Sequence, residues 1–180
     1  AIVTTLRHGF SESLFDLEKP DLVVLSPGPG RPSEFRVPQT ALACIRRQIP
    51  IFGVCLGLQG IVEAFGGELG VLHYPQHGKS SRIFVTDPDS VLFKGLPQSF
   101  AVGRYHSLYA IAQKLPAELK VTAISKDDVI MAIEHESLPI AAVQFHPESI
   151  MTLTGEVGLA IIRNVVRSYT QVKESLAISH

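Results

Sequence analysis

The sequence predicts an α/β domain: a doubly wound, mostly parallel sheet with an antiparallel extension. Three observations point there. Residues 22–26 and 51–54 are continuous apolar runs, of the kind that forms a parallel strand buried on both faces. Each is followed by a turn or loop and then by apolar residues at helical spacing. The middle of the chain then changes to short strand-like runs with few helical gaps between them.

In chain order, residues 2–6 read as a β-branched strand. After the run 22–26, Pro27-Gly28-Pro29-Gly30-Arg31-Pro32 forbids regular structure and makes a rigid loop. Residues 37–48 have helical spacing through Val37, Ala41, Leu42 and Ile45, ending before Pro50. The run 51–54 leads into a helix over 56–65, which Gly66-Gly67 stops. Residues 82–86, 99–105, 119–125, 129–135 and 140–145 read as short antiparallel strands, with Lys126-Asp127-Asp128 as a hairpin turn. A helix over 155–169 closes the domain, with Val157, Ile161, Ile162, Val165 and Val166 on one side.

With 180 residues, 46% of them hydrophobic, the chain can bury one substantial core and reads as a single domain over 1–180. A net charge of −1 leaves no basic field to attract nucleic acid or anionic lipid. The longest apolar stretch, residues 49–62, is interrupted by Pro50, Gly53, Gly57 and Gln59 and is too short to span a membrane. Two cysteines cannot build a disulfide framework or a cysteine-rich zinc site. A reducing cytoplasm is the compartment this composition predicts.

The chemistry centres on Cys55, in the pentapeptide Gly53-Val54-Cys55-Leu56-Gly57. A thiol on a sharp strand-to-helix turn between two glycines has the form of a nucleophile elbow, with cysteine in place of serine. The helix N-terminus beside it offers unpaired N–H groups and is expected to favour thiolate over thiol. Cys44, on the apolar side of a helix-like segment, is expected in the core. A cysteine nucleophile needs a base and a group that orients the base. His146-Pro147-Glu148 supplies both directly after the run 140–145. The Gly28 loop and the Cys55 turn are placed at the carboxyl edge of the strands, where ligands bind in doubly wound sheets.

Competing motifs fail. His146-x-Glu148 lacks the Pro-Cys-x-x-Cys that a zinc deaminase would add. Gly78-Lys79-Ser80 has His73 where a phosphate loop needs glycine, and Gly28-Pro29-Gly30 lacks the third glycine of a dinucleotide fingerprint. No metal is assigned.

Four segments together, Ser26-Pro27-Gly28-Pro29-Gly30, Gly53 to Gln59, His106-Ser107-Leu108 and Gln144-Phe145-His146-Pro147-Glu148-Ser149, resemble the class I glutamine amidotransferases, in that family's order and over nearly the whole chain. The resemblance is greatest to the glutaminase part of anthranilate synthase. Met131 to Glu148 and the form Gly57-Leu58-Gln59 suggest the version fused behind its synthase domain. The resemblance implies a flavodoxin-like fold and hydrolysis of glutamine to glutamate and ammonia, for a chorismate-binding synthase of tryptophan biosynthesis. It implies Cys55 as nucleophile, His146 as acid and base, and Glu148 as its orienting group. Gly28 and Leu56 would be oxyanion donors through their N–H groups. Pro29, Gly30, Gln59, Ser107 and Leu108 would hold glutamine. No cofactor is implied in this domain; the family's synthase uses Mg²⁺.

The family begins one strand and one helix earlier, so the chain is expected to lack that unit, with residues 2–6 as the family's second strand. The same chemistry could serve para-aminobenzoate or phenazine synthesis. A γ-glutamyl hydrolase of the same fold and a non-catalytic binding subunit are the rival readings.

Overall fold

Ile51, Phe52, Gly53 and Val54 are all buried, and they form the strand around which the sheet is organised. The structure, a computed structural model, describes residues 1–152 and 154–177. The strand Ile51–Val54 (β2) pairs in parallel with Val23–Leu25 (β1) on one side and Ile140–Val143 (β9) on the other. From β9 the sheet continues antiparallel through Ile130–His135 (β8), Leu119–Ser125 (β7), Lys79–Val85 (β4) and Ser99–Arg104 (β5). The seven-stranded order is β1-β2-β9-β8-β7-β4-β5, a parallel half joined to an antiparallel half. Between β7 and β8 the chain turns at Asp128, whose φ of 56° is left-handed, and the Ser125 N–H donates to the Val129 carbonyl at 2.9 Å.

The period of two along the central strands divides the core into two layers. Phe52, Val54, Ala141 and Val143 face a cluster that includes Val157, Ile161, Val165 and Tyr169 of the helix Val157–Ala177 (α4). Ile51, Ile140 and Ala142 face the opposite cluster, built on Val37–Arg46 (α2) and Leu56–Ala64 (α3). Every residue from Leu56 to Val62 is buried, as expected for a helix apolar on all sides. Cys44 lies in this layer with no exposed surface.

Several sequence expectations need correction. Residues 2–6 form no strand; Ile2 is fully exposed, and β1 has a strand partner on one side only. A β-branched run without a neighbouring strand gains none of the cross-strand packing from which its propensity comes. Ile162 and Val166 do not join the buried face of α4. The buried line runs 157, 161, 165 and 169, and a residue one step further round is turned by about 100° toward solvent. That helix begins at Val157, because Gly155 has a φ of 71°. One α-helix and two strands escaped the sequence reading: the helix Ser13–Glu18 (α1) and the strands Leu69–Val71 (β3) and Leu108–Ala110 (β6). Each is too short to show a period. β3 and β6 form a separate two-stranded antiparallel sheet. Arg46 and Arg47 of the α2 end hold Glu12 and Asp16 beside α1 at 2.8–3.2 Å, exposed pairs that orient more than they stabilise.

Candidate active site

Cys55 leaves β2 with φ 53° and ψ −98°, a left-handed-side backbone that a non-glycine residue holds only under constraint. The constraint is visible on both sides. The Cys55 N–H donates to the Val143 carbonyl at 2.8 Å, extending the β2–β9 pairing into the turn. Gly53 and Gly57 press together so closely that a Cβ on Gly53 would lie 2.7 Å from the Gly57 carbonyl carbon. Only a side chain of one hydrogen fits at either position, so the glycines are required by the bend.

The thiol is buried, 5% exposed, and burial pushes it up to about 11. The backbone N–H of Leu56 pulls the other way, the charge of Glu148 adds to the rise, and a side-chain hydrogen bond from Gln144 lowers it. Desolvation thus works against the thiolate that the helix terminus was expected to favour. Cys44, deeper in the core, is pushed up to about 12, again by burial first.

Two residues beyond Gln144, His146 follows β9 on the same edge. Its Nδ1 lies 2.7 Å from Glu148 Oε1, with the carboxylate more than half exposed. Its backbone is fixed as well, the N–H donating to the Gly103 carbonyl at 3.1 Å and the carbonyl accepting from Thr152 Oγ1 at 2.7 Å. The Tyr105 ring meets the imidazole edge-on at 4.9 Å between centroids. Among the described residues, the buried Nε2 has no hydrogen-bond partner. With Nδ1 held by the carboxylate, Nε2 is the ring nitrogen left to exchange a proton with the thiol or substrate. No hydrogen bond joins it to Cys55, whose side-chain bond comes instead from Gln144 Nε2 at 3.5 Å.

The Gly28-Pro29-Gly30 loop comes in over the N-terminus of α3, and a Cβ on Gly28 would lie 2.8 Å from Leu56 Cδ2. Gly28, Pro29 and Leu56 share the wall of a cavity of about 410 Å³ with Leu6, Phe10 and Phe15. Gly30 is left-handed at φ 71° and lies against Glu34. A second, open cleft is lined by Tyr105, His146, Glu148, Ser149, Ile150 and Met151. Cys55 lines neither of the two cavities.

Gln59 is buried, and its Nε2 donates to the Leu108 carbonyl and to Gln144 Oε1, both at 3.2 Å. The Ser107 carbonyl accepts from the Leu72 N–H at 2.8 Å. Leu108 is likewise engaged, its carbonyl also meeting His106 Nδ1 at 2.7 Å. The structure thus joins Cys55, Gln59 and Leu108 through Gln144, to which the sequence reading gave no role. A polar residue set between Val143 and Phe145 at the end of an apolar run was the available signal. Arg104 was also missed: 1% exposed, it donates from Nε to His106 Nε2 at 3.0 Å and from Nη1 to Asp127 at 2.8 Å. Among the described residues no group of three or more His, Cys, Asp or Glu is placed to hold a metal ion, and no helix is long and apolar enough to cross a membrane.

The family model for class-I glutamine amidotransferases matches residues 3–165, and the chain belongs to that family. Within the family, it is 55% identical over 166 residues to an anthranilate synthase of Azospirillum brasilense, spanning 92% of this chain but 22% of that protein. It is 47% identical over 159 residues to anthranilate synthase component 2 of Methanocaldococcus jannaschii, covering 83% of this chain and 76% of the relative. Among solved structures, a putative GMP synthase subunit of Thermoplasma acidophilum superposes with a TM-score of 0.77 at 28% identity, over 91% of this chain and 80% of that one.

Proposed function

We propose that this chain hydrolyses the side-chain amide of glutamine and passes the ammonia to a chorismate-binding synthase that makes anthranilate for tryptophan. The observation that carries the chemistry is the buried, unpartnered Nε2 of His146, whose other nitrogen Glu148 fixes. The high identity to the Azospirillum and Methanocaldococcus proteins supports the product.

In this reading, glutamine enters and the Cys55 sulfur attacks its amide carbon while the thiol proton moves to His146 Nε2. The carbonyl oxygen, now an anion, takes hydrogen bonds from the backbone N–H groups of Leu56 and Gly28. Such donors contribute about 3–4 kcal/mol each where one has been removed from other hydrolases. His146 returns the proton to the departing nitrogen, and ammonia leaves a thioester on Cys55. Water then attacks the thioester with His146 taking its proton, and glutamate departs as the thiol is restored.

The synthase, as a fused domain or a separate subunit, supplies chorismate binding and Mg²⁺, and the reaction belongs to the cytoplasm. The test combines this chain with a synthase partner, chorismate and Mg²⁺. Anthranilate formed from glutamine, and not by a Cys55→Ala variant, supports the reading. Aminodeoxychorismate as the product would transfer the same chemistry to folate synthesis, and no glutamate release would sink it.

A further inference from the structure

The donor and acceptor roles around Leu108 can be assigned without ambiguity, and they determine what faces the nucleophile. Arg104 can only donate, so the His106 Nε2 that it meets at 3.0 Å is an acceptor, and the proton of the neutral ring sits on Nδ1. That N–H donates to the Leu108 carbonyl at 2.7 Å. The same carbonyl, which can only accept, also meets the Gln59 amide at 3.2 Å and so requires its NH₂ end. The second hydrogen of Gln59 Nε2 goes to Gln144 Oε1 at 3.2 Å. Gln144 is therefore held with its NH₂ toward the Cys55 sulfur, 3.5 Å away. Gln59, Gln144 and His106 are all buried, so no water competes for these positions.

We propose that Gln144 is part of the nucleophile's machinery: its amide donates to the Cys55 sulfur, and a buried relay through Gln59 to the Leu108 carbonyl holds it that way round. Gln59 then positions Gln144, and the β6 segment is tied to the attacking thiol by hydrogen bonds. A donor on sulfur stabilises the anion more than the thiol, because hydrogen bonds to charged groups are the stronger ones. Its effect therefore grows as the proton leaves. It acts beside the Leu56 N–H against a burial that holds the thiol protonated. Glu148 is the titratable group whose charge bears on the sulfur, while His146 bears on His106 ahead of β6. The substrate half of this proposal rests on the glutaminase reading; the thiol half does not.

The experiment measures alkylation of Cys55 by iodoacetamide against pH, resolved from Cys44 by peptide mass mapping. Gln144→Met keeps length and apolar bulk but loses the donor. It is expected to raise the alkylation midpoint by about one pH unit, leaving about tenfold less thiolate at a given pH below it. Gln144→Glu raises it further by placing a carboxylate at the sulfur, and Gln59→Met raises it less, by freeing the amide to rotate. A midpoint unmoved or lowered in folded Gln144→Met means that Gln144 only fills space, and overturns the proposal. A variant that fails to fold announces itself by alkylation of Cys44 at the same rate. For that case the unmodified protein decides: the Gln144 side-chain amide ¹H–¹⁵N resonance is expected to move with Cys55 titration, and a stationary resonance overturns the proposal. Neither measurement needs glutamine turnover, so absence of glutaminase activity would sink the functional reading and leave this one standing.

Discussion

Gly57 packs against β1 so tightly that a Cβ there would stand 2.2 Å from the Leu25 carbonyl oxygen and 2.9 Å from the Leu25 Cβ. Helix α3, which carries the nucleophile at its start, thus rests directly on the neighbouring strand's backbone. Backbone cannot rotate away as a side-chain tip can. Gly57→Ala is expected to push α3 off β1, costing about 1–3 kcal/mol in stability, and to misplace Cys55 as well. Urea unfolding and glutamine turnover measured together check this; an unchanged midpoint with full activity would show that the contact is loose.

A glutamine-like chloroketone is expected to alkylate Cys55 and spare Cys44. Both thiols are buried and raised, so accessibility and acidity barely separate them. Position does: Cys55 sits at the carboxyl edge of the sheet beside Leu56 and Gln144, whereas Cys44 is enclosed between α2 and the core. Peptide mapping that finds the two modified equally fast would refute the assignment of Cys55 as the attacking atom.

What the sequence made legible follows from how far each signal reaches along the chain. The strand at 51–54 and the helix after it could be read because four consecutive buried residues and a continuous apolar helix are local patterns. The Cys55 turn could be read because its glycines flank it within five residues. The link from Cys55 to Leu108 could not, since it runs through Gln144 and Gln59, 89 and 49 residues from their respective partners. Arg104 carries no sequence mark of burial, because its partner Asp127 arrives from the β7–β8 turn. The desolvation of Cys55 was out of reach for a related reason: the helix start is local, but the burial that opposes it comes from the whole surrounding fold.

His146→Ala is expected to slow glutamine hydrolysis by about 10²–10⁴-fold, the range for loss of a general acid–base group. Glu148→Gln should cost less. The amide can still accept from Nδ1–H through its oxygen, so the ring stays aimed while the carboxylate's charge is lost. Steady-state kinetics giving the reverse order would mean that the two roles are exchanged or shared.

Folding stability is expected to fall as pH drops from 6.5 to about 4, through His106. Burial is the main reason that this ring resists protonation, opposed by its bond to the Leu108 carbonyl and aided by the Arg104 charge, and its pKa is lowered from 6.5 to about 4. The sign follows from proton counts. Between those values the unfolded chain binds a proton at His106 that the folded chain refuses, so acid favours unfolding. The contribution is fully present above pH 6.5 and is lost as the pH falls through about 4. At about 1.4 kcal/mol per unit it amounts to something on the order of 3 kcal/mol. Protonating Nε2 would also set two donors against each other, since Arg104 Nε already points there. Carboxylates titrate in the same range, so the measurement is a difference: urea midpoints of the wild type and His106→Gln from pH 7 to pH 4. The variant should start less stable and lose less, the two curves converging in acid. Parallel curves would show that His106 takes up its proton in the folded protein as readily as in the unfolded chain.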